Sequence, residues 1–292
     1  MQSVIINSEI VSLDAWRLEK GNCVGYNVTE DSICMRNRLL GADVPFDERI
    51  HKINEIIRIS QKMVFFGGAG VSTASGIPDF RSPSGLYAKP DLEFSGYQPE
   101  YLLSRACLEK EPEVFYRFYR KKMDMREFKP NIIHQKLAEL DADGKMLGVI
   151  TQNIDSLHED AGSKKVLKIH GTATTCYCAR CGKKYPSGKL FEDIDEEIPK
   201  CNCGGMLRPD VVLYGELLPV SVTKEAYDIL SRADCLIVCG TSIALPHIKA
   251  MINSFVGTYL IVLNASATPF DAYADVNCHE DIFEIFKNII WK

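Results

Sequence analysis

Four short apolar runs constrain the fold more than any other feature of the sequence. They are KMVFFG (62–67), MLGVIT (146–151), CLIVCGTS (235–242) and YLIVLNAS (259–266). Runs of this length, without polar alternation, are typical of strands buried on both faces of a parallel sheet. Segments with helical spacing separate them, among them DERIHKINEIIRIS, IIHQKLAELDADG and VTKEAYDILSRAD. The repetition predicts an α/β fold with a doubly wound parallel sheet, similar to Rossmann folds.

Two stretches interrupt this pattern. Residues of about 84–130 include YLLSRACLEKEPEVFYRFYRKK, which predicts a helical insertion, and residues of about 172–208 carry closely spaced cysteines. Residues 1–45 show no sustained period of 3.6 or 2 and are interpreted as an N-terminal extension of unknown role. We therefore expect one main domain over 46–292, with both insertions inside it.

Charge and hydropathy exclude several classes of protein. The chain has 34 Lys and Arg against 39 Asp and Glu, a net charge of −5, which argues against a general nucleic-acid or anionic-membrane binder. The apolar runs are far shorter than the ~20 residues of a membrane-spanning helix. The N-terminus has no basic segment followed by an apolar one, so a cytoplasmic location without membrane or nucleic-acid partners is expected.

The eleven cysteines are more typical of thiols or metal ligands than of disulfides in such a protein. Two close pairs, Cys178 with Cys181 and Cys201 with Cys203, are separated by 19 residues, and glycines follow both pairs. This spacing predicts one structural Zn²⁺ ion with four sulfur ligands and no open position. Only one residue lies inside the second pair, so Cys176 is an alternative ligand, and free thiols remain the other interpretation. The remaining cysteines in apolar contexts are interpreted as core: Cys107, Cys235, Cys239 and Cys278.

The stretch GGAGVSTASGIPDFR (67–81) directly follows the first apolar run. At such a turn in an α/β sheet, backbone amides commonly hold phosphate. We expect Gly68 and Gly70 to allow positive φ and close approach to a pyrophosphate, and Ser72 and Thr73 to cap the next helix. Thr73 stands where the dinucleotide fingerprint has its third glycine, so an ordinary glycine-rich turn is the alternative.

The residues that follow favour a nucleotide site. Asp79, Phe80 and Arg81 place a carboxylate, a ring and a guanidinium behind the turn, where they can close over a ligand. TQNID (151–155) and HG (170–171) follow other predicted elements. Together these polar groups are expected to meet at one edge of the sheet.

A set of motifs resembles the sirtuins, the NAD-dependent protein lysine deacylases, and in particular the deacetylases of the bacterial type. The motifs are GAGVSTASGIPDFR, TQNIDSLHEDAG, IHG, the two cysteine pairs, RPDVVLYGELLP, GTS, and NAS followed by TPFD. They run in the family's order from about Glu48 to the C-terminus, about five sixths of the chain.

The resemblance implies a reaction between NAD and an acyl-lysine of a protein or peptide. The acyl oxygen attacks C1′ of the nicotinamide ribose, nicotinamide leaves, and His170 acts as the general base on a ribose hydroxyl, which yields O-acyl-ADP-ribose. An imidazole suits this role because its ordinary pKa of ~6.5 lets it accept a proton near neutral pH. Taken alone, a histidine before a glycine is more often a capping or core residue.

The resemblance also implies the contacts to NAD and to the acyl-lysine. The acyl-lysine is expected in an apolar tunnel near Phe80, Ile154, Val212 and Tyr214, with VVLYGE offering edge-strand hydrogen bonds to the peptide. Ile77 is expected beside the nicotinamide, whereas His134 and His158 are interpreted as structural. The implied NAD contacts are Gly68, Ala69, Gly70, Thr73, Asp79, Phe80, Arg81, Gln152, Asn153, Ile154, Asp155, Gly240, Thr241, Ser242, Asn264, Ser266 and Ile282.

Departures from the family pattern bear on the substrate. Gly67 stands where most relatives have threonine, and relatives that prefer acidic acyl groups have Tyr-x-x-Arg, whereas here Tyr119 follows Tyr116 at that spacing and Arg120 is one residue off. We therefore expect removal of acetyl or another uncharged acyl group. A protein mono-ADP-ribosyltransferase is the alternative activity, and a non-enzymatic zinc-ribbon module would leave the glycine loop, TQNID and HG without a role.

Overall fold

The computed structural model describes residues 44–80, 85–87, 91–192 and 197–292, and the backbone of two short strands near the N-terminus. The chain divides into two compact units, Met1–Asn37 and Arg38–Lys292. In the first unit, β1 (Ser3–Ile6) and β2 (Glu9–Ser12) pair as an antiparallel hairpin. The sequence analysis found no period in this extension, so the hairpin was missed. The second unit carries all the motifs.

The second unit alternates strands and helices along the chain, as the apolar runs predict. Its strands are β3 (Met63–Gly67), β4 (Met146–Thr151), β5 (Val166–Lys168), β6 (Gly171–Cys178), β7 (Lys184–Pro186), β8 (Leu207–Val211), β9 (Cys235–Cys239), β10 (Tyr259–Leu263) and β11 (Val276–Cys278). Its helices are α1 (Phe46–Ile59), α2 (Gly70–Thr73), α3 (Pro99–Leu102), α4 (Arg105–Lys110), α5 (Pro112–Lys122), α6 (Ile132–Ala142), α7 (Leu157–Asp160), α8 (Val220–Arg232), α9 (Pro246–Asn253) and α10 (Ile282–Lys287).

Six strands form one parallel sheet in the order β11-β10-β9-β3-β4-β5. From β3 the chain continues outward through β4 and β5, and it then returns to the other side of β3 with β9. The strand order therefore reverses between β3 and β9, and in open α/β sheets ligands bind at the carboxyl end of such a switch point. The predicted doubly wound fold is confirmed.

Both faces of this sheet are covered, which explains the uninterrupted apolar runs. In β3, Met63 and Phe65 pack into a core with residues of α1, α6 and α10, whereas Val64 and Phe66 pack into a second core with residues of α8 and α9. All four side chains are fully buried. Alternate residues of one strand thus serve opposite layers, as expected for a central parallel strand.

The two insertions build a single second module with its own core. Helices α3–α5 pack against an antiparallel sheet of order β7-β6-β8, and Phe115, Tyr116 and Tyr119 of α5 are fully buried between them. The Arg120 Nε donates to the carbonyl of Leu190, 2.7 Å away, which ties the helices to the cysteine-bearing part. The boundaries 46–292, 84–130 and 172–208 stay predictions, although α1 begins at Phe46.

Among the helices that the structure describes, none is both long enough and apolar enough to cross a lipid bilayer.

Candidate active site

The strand register brings the predicted motifs to one edge of the sheet. Gly67, the last residue of β3, lies opposite Cys239, the last of β9, and opposite Thr151, the last of β4. Leu263, at the end of β10, lies opposite Cys239 in turn. Because these strands end level with one another, the residues that follow them share one crevice.

Gly68 and Gly70 allow the two loops at the switch point to touch. The Gly68 N–H donates to the carbonyl of Cys239 at 3.0 Å, and the Gly70 N–H donates to that of Gly240 at 2.9 Å. A Cβ on Gly68 would lie 2.6 Å from the Cβ of Thr241, and one on Gly70 would lie 2.8 Å from the Cα of Gly240. Neither glycine has positive φ, so that expectation was wrong, and close packing explains both glycines instead.

The loop that follows β9 carries the unusual backbone conformations of this crevice. Gly240 has φ of 60°, and the buried, β-branched Ile243 has φ of 51°. A positive φ is sterically disfavoured for a β-branched residue, and such strain is concentrated at functional loops. Glycine adopts the positive φ at Gly240 without strain, so the strain of this loop lies at Ile243, directly after Thr241 and Ser242.

Ser72 joins the glycine loop to the TQNID segment. Its hydroxyl donates to Oδ2 of Asp155 at 2.8 Å and accepts from the side-chain amide of Asn153 at 2.9 Å. The predicted helix cap by Ser72 was wrong, because Ser72 lies inside the four-residue α2, whereas the Thr73 hydroxyl donates to the Gly70 carbonyl. The sequence does not reveal this partnership, because its members lie 81 and 83 residues apart.

Asp155 is a buried carboxylate at the floor of the crevice. Its second oxygen accepts the Leu157 N–H at 3.0 Å. Burial raises the pKa of Asp155, and the hydrogen bonds from Leu157 and Ser72 oppose that rise by favouring the charged form. The structure thus holds one carboxylate in a fixed orientation, able to accept a further hydrogen bond from an amide.

Gln152 connects three loops of the site. Its backbone N–H donates to the Gly67 carbonyl at 3.0 Å, and its side-chain amide donates to the Thr241 hydroxyl at 2.8 Å. Its own carbonyl lies 2.9 Å from Nδ1 of His170. One residue therefore holds the loops after β3, β4 and β9 against the predicted general base.

The contact with Gln152 determines the tautomer of His170. A carbonyl oxygen only accepts, so Nδ1 carries the hydrogen and Nε2 of the neutral ring carries the lone pair. Burial has the largest effect and lowers the pKa of His170. The hydrogen bond to Gln152 raises this pKa, and the nearby His247 lowers it further. The ring is consequently neutral near pH 7 and presents a basic nitrogen.

The predicted acyl-lysine residues lie where the crevice meets the second module. Phe80 and Ile154 are partly buried and pack against that module's core. The Phe80 ring lies 5.5 Å from the ring of Tyr87, whose hydroxyl is 3.3 Å from that of Tyr214. The Val212 N–H donates to the His170 carbonyl at 2.8 Å, which joins the same wall to the predicted base.

The backbone of VVLYGE is largely occupied within the protein. Strand β8 ends at Val211, and Tyr214 donates to the carbonyl of Leu103 and accepts from the N–H of Arg105. The Leu213 N–H donates to the Glu216 carboxylate. Fewer backbone groups of this segment are therefore available to hydrogen-bond a peptide than the sequence analysis predicts.

The predicted adenosine residues follow β10 and β11. The Asn264 side-chain amide donates to the carbonyl of Ser266 at 2.7 Å. His279, which the sequence analysis did not assign, donates from Nδ1 to the Asn264 carbonyl at 2.7 Å, and its Nε2 lies 2.9 Å from Asp271. Ile282 is the first residue of α10 and lies at the edge of the core.

The loop behind the glycine turn is only partly described. The carbonyls of Asp79 and Phe80 accept the N–H groups of Leu86 and Tyr87, so both ends of this loop are joined. A Cβ on Gly85 would lie 2.8 Å from the Asp79 carboxylate, which explains a glycine there. Arg81 lies outside the described residues. Ile77 is buried beside this loop.

Four cysteine sulfurs form a compact cluster in the second module. The Sγ atoms of Cys178, Cys181, Cys201 and Cys203 all lie within 4.8 Å of one another, and two of the distances are 3.5 and 3.8 Å. A tetrahedron of zinc–sulfur bonds of about 2.3 Å places its sulfurs about 3.8 Å apart. The cluster therefore fits Zn²⁺ with four protein ligands.

Backbone amides favour the thiolate form in two of the four cysteines, Cys178 and Cys201. The N–H of Cys181 lowers the pKa of Cys178, and the N–H of Cys203 lowers the pKa of Cys201 to about 6. Gly182 and Gly204 follow the two pairs with φ of 70° and 77°, so each knuckle turns back through a left-handed residue.

Cys176 lies outside this cluster. It is fully buried, its Sγ donates to the Pro186 carbonyl at 3.5 Å, and burial raises its pKa to about 11. Strand β6 runs from Gly171, next to His170, to Cys178, and eight residues of strand span roughly 25 Å. The metal site is therefore remote from the predicted base, which fits a structural role.

His134 and His158 are buried beneath the site, as the sequence analysis expected of structural residues. Their ring centroids are 4.6 Å apart. His134 accepts the N–H of Asn131 at the start of α6, and the Asn131 side chain donates to the Val71 carbonyl of α2. Burial lowers the pKa of His134 to about 4 and that of His158 well below its ordinary value.

Comparisons with known proteins agree with this geometry. The Sir2 family model matches residues 68–246. A Staphylococcus aureus (strain Mu50) protein named NAD-dependent protein deacetylase is 42% identical over 242 residues, which cover 82% of this chain and 98% of that protein. A Clostridium acetobutylicum protein of the same name is 43% identical over 244 residues, which cover 83% and 98%.

A solved structure extends the likeness from sequence to fold. A Sir2 complex with a deacetylated p53 peptide and 3′-O-acetyl ADP-ribose superimposes with a TM-score of 0.75 and 35% identity, and the match covers 82% of this chain and 96% of that one. The match spans nearly the whole length of each relative. The shared parallel sheet, the matched motifs and these identities lead to one conclusion: this chain belongs to the Sir2 family.

Proposed function

We propose that this protein is an NAD-dependent protein lysine deacetylase. It transfers the acetyl group of acetyl-lysine to ADP-ribose and releases nicotinamide, free lysine and O-acetyl-ADP-ribose. The relatives named NAD-dependent protein deacetylase and the structure that holds a deacetylated peptide support the assignment. Within this chain, the main support is the hydrogen bond between Nδ1 of His170 and the Gln152 carbonyl. This bond leaves the lone pair on Nε2, where it can accept a proton.

NAD enters as a substrate at the edge of the sheet. The N–H groups of Gly68 and Gly70 already donate to Cys239 and Gly240, so other backbone and hydroxyl groups of the loops after β3 and β9 would hold its phosphates. Asn264 and Ser266 would contact the adenosine. At the other end, Asp155 accepts a hydrogen bond from the nicotinamide carboxamide. This contact favours departure of the ring as positive charge develops on the ribose.

His170 acts in the second step. Once the acyl oxygen has displaced nicotinamide from C1′, a ribose hydroxyl must lose its proton to attack the imidate carbon. Nε2 of His170 takes that proton, and the Gln152 carbonyl stabilises the resulting imidazolium through Nδ1–H. The C–N bond to lysine then breaks as the amine takes up a proton, and one water molecule adds to the acyl carbon, which leaves free lysine and O-acetyl-ADP-ribose.

The second module favours uncharged acyl groups as substrates. Tyr116 donates its hydroxyl to the Leu207 carbonyl, Tyr119 is fully buried, and Arg120 donates to Leu190. All three side chains belong to the module's interior or its internal contacts. A tyrosine–arginine pair aimed at an acidic acyl chain is therefore not formed by these residues. Faster hydrolysis of succinyl-lysine than of acetyl-lysine peptides would contradict this proposal.

The decisive experiment measures nicotinamide release from NAD with and without an acetyl-lysine peptide. For the wild-type protein we expect release that requires the peptide, together with O-acetyl-ADP-ribose. His170→Ala should form almost no deacetylated peptide, a loss on the order of 10²–10⁴-fold for a missing general base. Release of nicotinamide without peptide, with ADP-ribose label on a protein, would replace the proposal by an ADP-ribosyltransferase.

Three further proposals concern the setting of this enzyme. The four clustered cysteines would hold one structural Zn²⁺, which supplies cross-linking of the second module and no chemistry at the site. A cytoplasmic location is supported by the described cysteines, all of which are free of disulfides. The deacetylase domain would comprise 46–292, without direct nucleic-acid binding.

A further inference from the structure

A second histidine lies against the predicted base. The rings of His170 and His247 meet edge to face, with centroids 6.0 Å apart and planes at 87°. His247 is the second residue of α9, directly beyond the strained loop that follows β9. It lies toward solvent, whereas His170 is partly buried. Sequence analysis assigned His247 no role because neither a motif nor a period singles it out.

We propose that His247 is a positioning residue of the active site, which orients the His170 ring and, when it carries a proton, keeps His170 uncharged. This inference rests on the proposed function, because it gives His170 the role of general base. It adds a residue that acts through His170 and touches no substrate.

The orientation follows from the ring contacts. His170 is held at Nδ1 by the Gln152 carbonyl and on its ring by His247. The hydrogen bond fixes one atom of the imidazole, and the perpendicular ring packed against it restricts rotation of the imidazole about that bond. The direction of the Nε2 lone pair is then fixed by two contacts.

The electrostatic effect follows from the separation of the rings and their surroundings. His247 is the more exposed of the two, so on acidification it takes a proton first, and its positive charge then lowers the pKa of His170. Burial also lowers the pKa of His247 itself. Two like charges about 6 Å apart oppose each other by about half to one pK unit in a partly solvated site.

Among the described residues, two charged groups on neighbouring elements are already engaged by other partners. Lys168 of β5 forms an ion pair with Glu159 at 2.6 Å, and Asp155 accepts from Ser72 and Leu157. Lys249 of α9 is exposed. Within the described part of the chain, His247 is therefore the neighbour whose positive charge lowers the pKa of His170.

Two substitutions separate orientation from charge. His247→Phe keeps a ring and removes the charge, whereas His247→Ala removes both. For His247→Phe we expect the acid limb of the kcat/KM profile to move up by about half a pH unit or more, with kcat unchanged near pH 8. His247→Ala should show the same shift and, in addition, a several-fold lower kcat at pH 8. His51→Phe, at an exposed site of α1, is the matched control and should change neither.

A direct titration makes the test independent of turnover. The midpoint of the His170 imidazole is followed by NMR in protein labelled with ¹⁵N at histidine, with His170→Ala used to assign the signal. We expect the midpoint to rise by about half a unit or more in both His247 variants and not in His51→Phe. An unchanged midpoint in His247→Phe overturns the proposal for charge, and equal kcat in the Phe and Ala variants overturns it for orientation. Absence of peptide-dependent nicotinamide release in the wild type would instead overturn the proposed function.

Discussion

At the scale of single residues, the site is assembled from contacts between segments far apart in the sequence. Ser72 joins Asn153 to Asp155, and Gln152 joins Thr241 to His170. Each motif taken alone is compatible with an ordinary turn. Their side chains form hydrogen bonds with one another only because the parallel strands bring the loops to one edge of the sheet. Loss of the Ser72 hydroxyl therefore removes hydrogen bonds to two residues of another loop.

The Ser72 hydroxyl is expected to contribute to both the stability and the activity of the protein. In Ser72→Ala, Asp155 stays buried with one donor fewer, which should reduce the free energy of unfolding by about 2 kcal/mol. Nicotinamide–NAD exchange should fall about tenfold, because the carboxylate loses its fixed orientation. Ser231→Ala, which removes an exposed hydroxyl of α8 that donates to the Asp228 carbonyl, is the control and should change neither quantity by much. Equal effects of the two variants, measured by urea unfolding and exchange rate, would contradict this role.

Gly68 tests the close packing of the two loops. In Gly68→Ala the new methyl would lie 2.7 Å from the Gly240 carbonyl oxygen, so the loops must separate. We expect a loss of about 1–3 kcal/mol in stability and at least a tenfold weaker affinity for NAD by calorimetry. Gly96→Ala, where no atom lies within 4 Å of the new methyl, is the control. A Gly68→Ala protein with normal NAD affinity would show that the loops can separate without consequence.

At the scale of elements, the sequence predicts those whose pattern is long and local. The central strands β3, β4, β9 and β10 and the long helices follow directly from apolar runs and helical spacing. The edge strands β5 and β11 were missed because three residues are too few for a pattern. The cluster of four cysteines follows from spacing alone, whereas the links through Ser72, His247 and His279 depend on tertiary contacts that no local pattern carries.

The knuckle with a single intervening residue is the element-scale test of the metal site. Cys201→Ser should abolish the one equivalent of zinc and lower the melting temperature of the purified protein, since a thiolate ligand is lost. Cys176→Ser should retain a full equivalent, because Cys176 is a protonated thiol bonded to Pro186. Metal content by mass spectrometry decides the matter. If Cys176→Ser loses its zinc whereas Cys201→Ser retains it, Cys176 is a ligand and Cys201 is not.

At the scale of the second compact unit, Arg38–Lys292, two cores cover the faces of the main sheet and a third fills the second module. A pair of neutral histidines is buried next to α2. Asn131 connects α6 to α2, so the packing of His134 is coupled to the loop that would hold NAD. Protonation of either ring would place an unpaired charge in the interior. The stability of the unit and the integrity of its NAD loop are therefore expected to fall together in acid.

This coupling predicts the direction of the pH dependence. The unfolded histidines titrate near pH 6.5, whereas burial lowers the pKa of His134 in the folded protein to about 4. The unfolded state thus binds more protons between these values, so stability is complete above pH 6.5 and falls as the pH decreases. For His134 alone, the loss between pH 7.5 and 5.5 is about 1.4 kcal/mol, and His158 adds to it. Urea unfolding of the wild type and of His158→Phe measures this loss. Phenylalanine is chosen because the His158 ring packs against the ring of Phe65. A smaller decrease in the variant is expected, and an equal decrease in both proteins would place the acid sensitivity elsewhere in the molecule.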